Sequence, residues 1–419
     1  MDSKFADASM MSIKEPLVLP RLPALGWATF AGPKRSPVPS VLDARDIRFT
    51  ASGRAAIALA LRALGVGPDD RVLVPTYHCP TMISPIVALG AQPVFFAIDA
   101  TGAPRLDAWT ARDLQGVRAM IAAHYFGLPQ PMAKLRAFCD EHRIALIEDC
   151  AHALFGVSDG RPVGQWGDFA IASLTKFLPV VDGGCLVAAH GLADVPSLAP
   201  LSLGAELKSF ANAAEIGARY GRVIGVNRLL SGLFEVTTKL RAQRRASDFP
   251  NGLSSGAGDV GQWLADFEPP VAVQRTASRW TRWTVRHAHR ARIVAMRRCN
   301  YALLTRLVAD IPGVRALEPI LPESAAPYVF PLWVDRPEAV YQDVRAAGIP
   351  VFRWDEVWPG RPVSAGDCGI AWSTHVFQIG CHQDLNADDL VAMVRAFAGI
   401  IGGRSAATNE YREESLTAR

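Results

Sequence analysis

Between residues 49 and 149 the chain alternates short apolar runs with helical periods, and this alternation limits the fold more than any single residue does. Ser52-Gly53 precedes a helical stretch over 54–64, with apolar residues at Ile57, Leu61 and Leu64 and a stop at Gly65. Strands are predicted at 71–75, 93–98, 120–124 and 144–149, with helices at 81–89 and 132–142 between them. Strands and helices of this length in alternation predict a largely parallel α/β sheet covered on both faces. In such sheets ligands sit beyond the carboxyl ends of the strands. His124 and Asp149 both fall at predicted ends of that kind.

A second stretch, over 167–184, carries the candidate chemistry. It reads as a buried strand over 169–173, a short turn holding the lone Lys176, and a reversal at Gly183-Gly184 into another strand over 185–189. Burial disfavours a charged lysine and lowers its pKa, which suits an amine that must attack a carbonyl and form an imine. Taken alone, the stretch is explained more simply by a snorkelling lysine at a strand end.

Residues 1–45 are rich in proline and lack periodicity, so they are expected to form an extended arm on the body or on a neighbour. Residues 46–284 then form a large domain, within which 192–270 reads as a divergent helical insertion with a loop at 251–258. Eight arginines between Arg275 and Arg298, interleaved with Trp280, Trp283 and Ile293, predict a long helix with a wet basic face. Residues 285–402 read as a smaller α+β domain, with strands at 328–334, 349–352 and 376–379 and helices at 337–347 and 386–397. A polar tail follows over 403–419.

Composition excludes several classes. A net charge of +4 is too mild to call for nucleic acid or an anionic membrane, while anionic small molecules remain compatible. The seven cysteines contain no Cys-x-x-Cys pair, so neither a disulfide framework nor a zinc site is expected, no metal is assigned, and a reducing cytoplasm is the simplest setting. The first twenty residues lack the apolar core of a secretory leader, and no apolar run is long enough for a transmembrane helix.

Four features converge. Ser52-Gly53 at a helix N-terminus offers N–H groups to a phosphate, or is simply a cap. Asp149 at the end of an apolar strand is a carboxylate in need of a cationic partner, or an N-cap for the next turn. Ser173 lies three residues before the Lys176 amine. His124 and His152 fall near the same edge. Together these supply an imine lysine, an acid for a ring nitrogen, a phosphate cradle and ring neighbours, the parts that pyridoxal 5′-phosphate requires.

In this order the residues resemble the DegT/StrS-type sugar aminotransferases, pyridoxal-phosphate enzymes of the aspartate-aminotransferase fold (fold type I). The matching pieces are Ser52-Gly53-Arg54, Val72-Leu73-Val74-Pro75, His124-Tyr125-Phe126-Gly127, Glu148-Asp149-Cys150-Ala151-His152, Gly164-Gln165-Trp166-Gly167-Asp168, Lys176 and Gly183-Gly184, with looser agreement over 285–400. The resemblance implies Lys176 as the imine lysine, Asp149 as partner of the pyridine nitrogen, His152 beside the ring, and Gly53, Arg54 and Ser173 at the phosphate. It also implies a homodimer, glutamate as amino donor and a nucleotide-linked keto-sugar as acceptor. The sequence departs from the family at Cys79, where an aromatic residue usually stacks on the ring, so His78 or Tyr77 would stack instead. The lysine loop is about two residues shorter than usual, and the Gly-x-Asn-x-Arg-Met segment has its nearest counterpart near Arg275. The rival readings are a lyase or a desulfurase using Cys79 on the same fold, and a non-catalytic module that keeps the fold.

Overall fold

The alternation becomes a seven-stranded sheet in the computed structural model, which describes residues 15–31, 38–107, 109–222, 274–355, 358, 361–362 and 364–417. In chain order the elements are β1 (Ile47–Thr50), α1 (Gly53–Ala63), β2 (Arg71–Pro75), α2 (Pro80–Ala88), β3 (Gln92–Phe96) and β4 (Val117–Ala123). Then come α3 (Ala133–His142), β5 (Ala145–Asp149), a small hairpin of β6 (Val157–Ser158) and β7 (Arg161–Pro162), β8 (Phe169–Ser173) and β9 (Gly184–Ala188). The strands lie in the order β1-β9-β8-β5-β4-β2-β3. Strand β9 runs antiparallel to β1 and β8, and the other pairings are parallel. Register pairs Ala123 with Asp149 and Asp149 with Ile171, so β4 and β5 end level while β8 runs two residues further, to Ser173.

Helix α1 shows how composition shapes the sheet's cover. Ser52 caps it by accepting the Ala55 N–H at 3.1 Å, and its alanine-rich sequence lets residues 55–61 be buried almost all round. Ile57, Leu59 and Leu61 are fully enclosed, each contributing about 1.5–3 kcal/mol of burial. Gly184 makes this packing possible, because a Cβ there would lie 2.4 Å from the Ser52 carbonyl. The α1 N-terminus is thereby seated directly over the end of β8.

After α4 (Leu203–Arg219), the described chain resumes with α5 (Arg279–His287), α6 (Arg290–Val308), β10 (Val314–Ala316), β11 (Val329–Val334), α7 (Pro337–Ala346) and β12 (Val351–Phe352). It ends with α8 (Gly369–His375), β13 (Val376–Gly380) and α9 (Ala387–Thr417). Strands β10-β11-β13-β12 form an antiparallel sheet over a second core of Tyr301, Leu304, Phe330, Val344, Phe377 and Leu390.

Three sequence expectations change. The arginine-rich helix is two helices, because Ala288 turns extended between α5 and α6. Its basic face is not wholly wet, since Arg297 is fully buried. The polar residues after 402 continue α9 to Thr417. The insertion is helical over α4, while its continuation over 223–270, including the loop at 251–258, lies outside the described residues. The arm lies on its own body: Leu17 N–H reaches the Ala347 carbonyl, the Pro20 carbonyl meets His382, Thr29 accepts from His289 N–H, and Ser40 and Val41 bond to Leu154.

Candidate active site

Beyond the ends of β4, β5 and β8 lies a cavity of about 200 Å³. Nine of the ten residues singled out from the sequence for a cofactor line it: Ser52, Gly53, Arg54, Cys79, His124, Asp149, His152, Ser173 and Lys176. The structure adds Thr81, Met82 and, from the small domain, Trp354.

Strand alternation separates two adjacent acids. Glu148 points to the far side of β5 and accepts His124 Nε2–H at 2.9 Å, Gly164 N–H at 2.7 Å and Trp166 N–H at 2.9 Å. Burial opposes its ionisation, but the His124 proton and these backbone donors outweigh it and hold the carboxyl below the usual range. The glycine-containing 164–168 turn is built for that acceptor. A Cβ on Gly167 would fall 2.2 Å from the Phe169 carbonyl oxygen. Asp149 faces the cavity and accepts the Ala151 N–H at 2.8 Å. Its carboxyl is raised, chiefly by burial, with Ala151 N–H, Lys176 and His124 offsetting part of the effect.

Lys176 follows β8 in a single 3₁₀ turn, Leu174–Lys176. The turn is pinned behind by Leu174 N–H to the Gly183 carbonyl, and Gly183 takes a φ of 118° that suits glycine alone. Burial lowers the amine's pKa, against the opposing influence of Cys79 and Asp149. Nζ lies 5.2 Å from the centre of the Tyr328 ring. The result is an amine more readily neutral than an exposed lysine, sharing a cavity with a carboxylate that senses its charge.

Both nitrogens of His124 are engaged, since Nδ1 accepts the Gln130 N–H at 2.8 Å while Nε2 donates to Glu148. His124 therefore offers the cavity a ring face and no free nitrogen. His152 differs: Nδ1 accepts the Phe126 N–H at 3.3 Å, which leaves the proton on Nε2. Burial lowers its pKa well below the ordinary value, so it is neutral, held between Tyr328 at 4.4 Å and Trp354 at 4.8 Å.

His78 is the sequence candidate that the fold keeps from the cavity lining. It is fully buried, donates Nδ1–H toward the Pro75 and Thr76 carbonyls and accepts the Trp358 N–H at Nε2, with its pKa pushed down to about 4, mainly by burial. Tyr77 is also buried and packs against Tyr125, Trp354 and Trp372. Cys79 does line the cavity, with Sγ 3.1 Å from Thr81 Oγ1. The aromatic ring that lines the cavity is Trp354, which no local sequence signal connects to Lys176.

At the α1 N-terminus the helix has no acceptor of its own for its first N–H groups. Ser52 takes those of Ala55 and Ala56, while Gly53 and Arg54 line the cavity. Ser173 Oγ lies 3.4 Å from Thr175 Oγ1, and a Cβ on Gly53 would meet Ser173 Cβ at 3.4 Å. Helix end, glycine and hydroxyl thus line the same cavity as Asp149, with free N–H groups and a hydroxyl of the kind an anion accepts from.

Comparisons with known proteins bear on the fold and on the sheet segment of the sequence. Over 147 residues the chain is 37% identical to a UDP-N-acetyl-3-dehydro-alpha-D-glucosamine 3-aminotransferase of Acidithiobacillus ferrooxidans, covering 33% of this chain and 39% of the relative. It is 34% identical over 149 residues to a GDP-perosamine synthase of Vibrio cholerae, covering 35% and 41%. An L-glutamine:2-deoxy-scyllo-inosose aminotransferase of Streptomyces kanamyceticus shares 34% over 141 residues, covering 33% of each chain. The chain thus spans at most about two fifths of the length of these curated relatives. Structural likeness reaches further. The aminotransferase TlmJ from Streptoalloteichus hindustanus superposes with a TM-score of 0.55 over 86% of this chain and 87% of its own, at 19% identity. A DegT DnrJ EryC1 StrS aminotransferase from Brucella abortus gives 0.55 over 86% of each chain, at 16% identity. Fold type I is therefore shared by most of the chain, whereas the sequence match is confined to the sheet and the lysine loop. Residues 44–195 match the model of the DegT/DnrJ/EryC1/StrS aminotransferase family.

Proposed function

We propose that the protein is a pyridoxal 5′-phosphate-dependent aminotransferase that moves an amino group, from glutamate, onto a keto-sugar carried by a nucleotide. The observation that carries this reading is the Lys176 amine and the Asp149 carboxylate lining one cavity, each bearing on the other's ionisation. The residues fit the cofactor: the α1 N-terminus with Ser173 suits its phosphate, Asp149 its ring nitrogen, and His152 and Trp354 its ring edge and face. When bound, pyridoxal phosphate supplies an aldehyde that condenses with amines and a ring that takes up electrons from the adjacent carbon.

The chain's own groups do the rest. Burial lowers the pKa of Lys176 and so favours its neutral, nucleophilic form, and the same Nζ is proposed to move a proton at the donor's α-carbon. Asp149, held ionised by a cationic partner, keeps a proton on the ring nitrogen. Neutral His152 offers Nε2–H as a donor, and Trp354 packs against its ring on the cavity wall. The names of the relatives support a sugar acceptor; a homodimer and a cytoplasmic setting are proposed with it.

Incubating the cofactor-loaded protein with glutamate, or in parallel with glutamine, should bleach its visible absorbance and leave the aminated cofactor, identified by mass. Adding a panel of nucleotide keto-sugars should then restore the colour with one of them. Absence of bleaching with either donor would overturn the reading. A lyase or desulfurase remains the second reading because Cys79 lines the cavity, and it predicts loss of activity in Cys79→Ala.

A further inference from the structure

The back of the lysine loop is held by one fully buried side chain that no cavity description includes. Arg297 of α6 donates Nη2–H to the Lys176 carbonyl at 2.8 Å, Nη1–H to the Pro327 and Tyr328 carbonyls at 3.0 Å each, and Nε–H to Gln383 Oε1 at 2.8 Å. Gln383, just beyond β13, in turn donates Nε2–H to the Phe177 carbonyl at 2.9 Å. The guanidinium lies 4.5 Å over the Phe177 ring.

No carboxylate hydrogen-bonds to this cation among the described residues; the neighbouring Asp384 bonds to Arg292 instead. Burying a guanidinium among neutral acceptors is costly, and burial pushes Arg297 down to about 10. An unbranched apolar side chain would fill the space without that cost. What the guanidinium provides is therefore its fixed fork of donors, four of them spent on backbone carbonyls around Lys176 and on the glutamine that holds the next one. The Tyr328 unit it grips places its ring beside both Lys176 Nζ and His152.

We infer that Arg297 and Gln383 form a positioning clasp, through which the small domain sets the direction of the Lys176 amine by holding the carbonyls of Lys176 and Phe177. The use made of that amine rests on the aminotransferase reading; the clasp itself rests on the hydrogen bonds above.

The test uses the full chain stripped of cofactor, with pyridoxal phosphate as probe and borohydride to reduce the carbon–nitrogen bond formed when the Lys176 amine expels water from the aldehyde. Peptide mass spectrometry then counts label on Lys176 against that on exposed lysines over time. The rate at Lys176 is expected to fall about tenfold in Arg297→Met and about threefold in Gln383→Leu, with the double variant no worse than Arg297→Met, as for groups that act as one unit. A role confined to stability would lower the melting temperature and leave the labelling rate of the folded protein unchanged, which would overturn the clasp. If Arg297→Met does not fold, Gln383→Leu decides the matter. Failure of wild-type Lys176 to take the label would instead count against the aminotransferase reading, which keeps the two outcomes distinct.

Discussion

Glu148 and Asp149 are neighbours on one strand, yet they inhabit opposite regimes. Behind β5, Glu148 has its oxygens occupied by His124 and by the N–H groups of the 164–167 turn, and its ionised form is favoured. In front, the structure gives Asp149 one backbone donor, and burial raises its pKa. The rear carboxylate is satisfied and supports the fold. The front one has fewer partners, and the Ala151 N–H, Lys176 and His124 offset only part of the burial that opposes its charge. The two-residue period of a β-strand is enough to divide structure from chemistry here.

The largest way to test that division lies at the cation. Lys176→Ala should reduce amino transfer by at least about a thousandfold while leaving the melting temperature unchanged or raised, since a buried amine is removed. Purified variant assayed for single-turnover amine formation checks this. Asp149→Asn comes next. It should cost about a hundredfold or more in rate and, in cofactor-free protein, leave stability equal to or above wild type. A clear loss of stability in that variant would place Asp149 with the structural acids.

Glu148→Gln should show the reverse pattern. Its new amide would confront N–H donors, so unfolding in urea should show a loss of about 3 kcal/mol, with a smaller effect on rate in whatever protein remains folded. The pH dependence separates the two acids further. Glu148 is held below its ordinary value of about 4.3, so its contribution is present above that pH and is lost as the pH falls through its folded value. Asp149 is raised above about 3.9, so its contribution is full below that pH and is lost as the pH rises through its folded value. Denaturant titrations across the acid range should therefore show a shallower acid loss for Glu148→Gln and a steeper one for Asp149→Asn. The smallest effect expected is at Cys79, where Cys79→Ala should change the amino-transfer rate by less than about threefold.

Much of this was legible in the sequence, for a local reason. Asp149 ends an apolar strand and Lys176 sits in the turn just beyond another, where a parallel sheet gathers ligands, and Ser52-Gly53 carries its own signal as a helix start. His78 misled, because adjacency to Cys79 says nothing about which way a buried ring turns, and its nitrogens were claimed by Pro75, Thr76 and the distant Trp358. Trp354, Tyr328 and Arg297 were hidden for the complementary reason. Each reaches the site from a domain more than a hundred residues further along, and no spacing within their own segments records that arrival. Arg297 is one of eight arginines in a short stretch, and burial alone sets it apart. Glu148 could have been found, since an acid inside a fully apolar strand must have partners on the face that its neighbour does not use.

The arm that begins the described chain has a mechanical consequence. Its residues grip the small domain at Ala347 and His382, then α6 at His289, and further along the large domain at Leu154. Because these hydrogen bonds tie one stretch of chain to both cores, deleting it would leave the His382 ring and the Leu154 carbonyl without their mates, and the loss would register in both parts of the molecule at once.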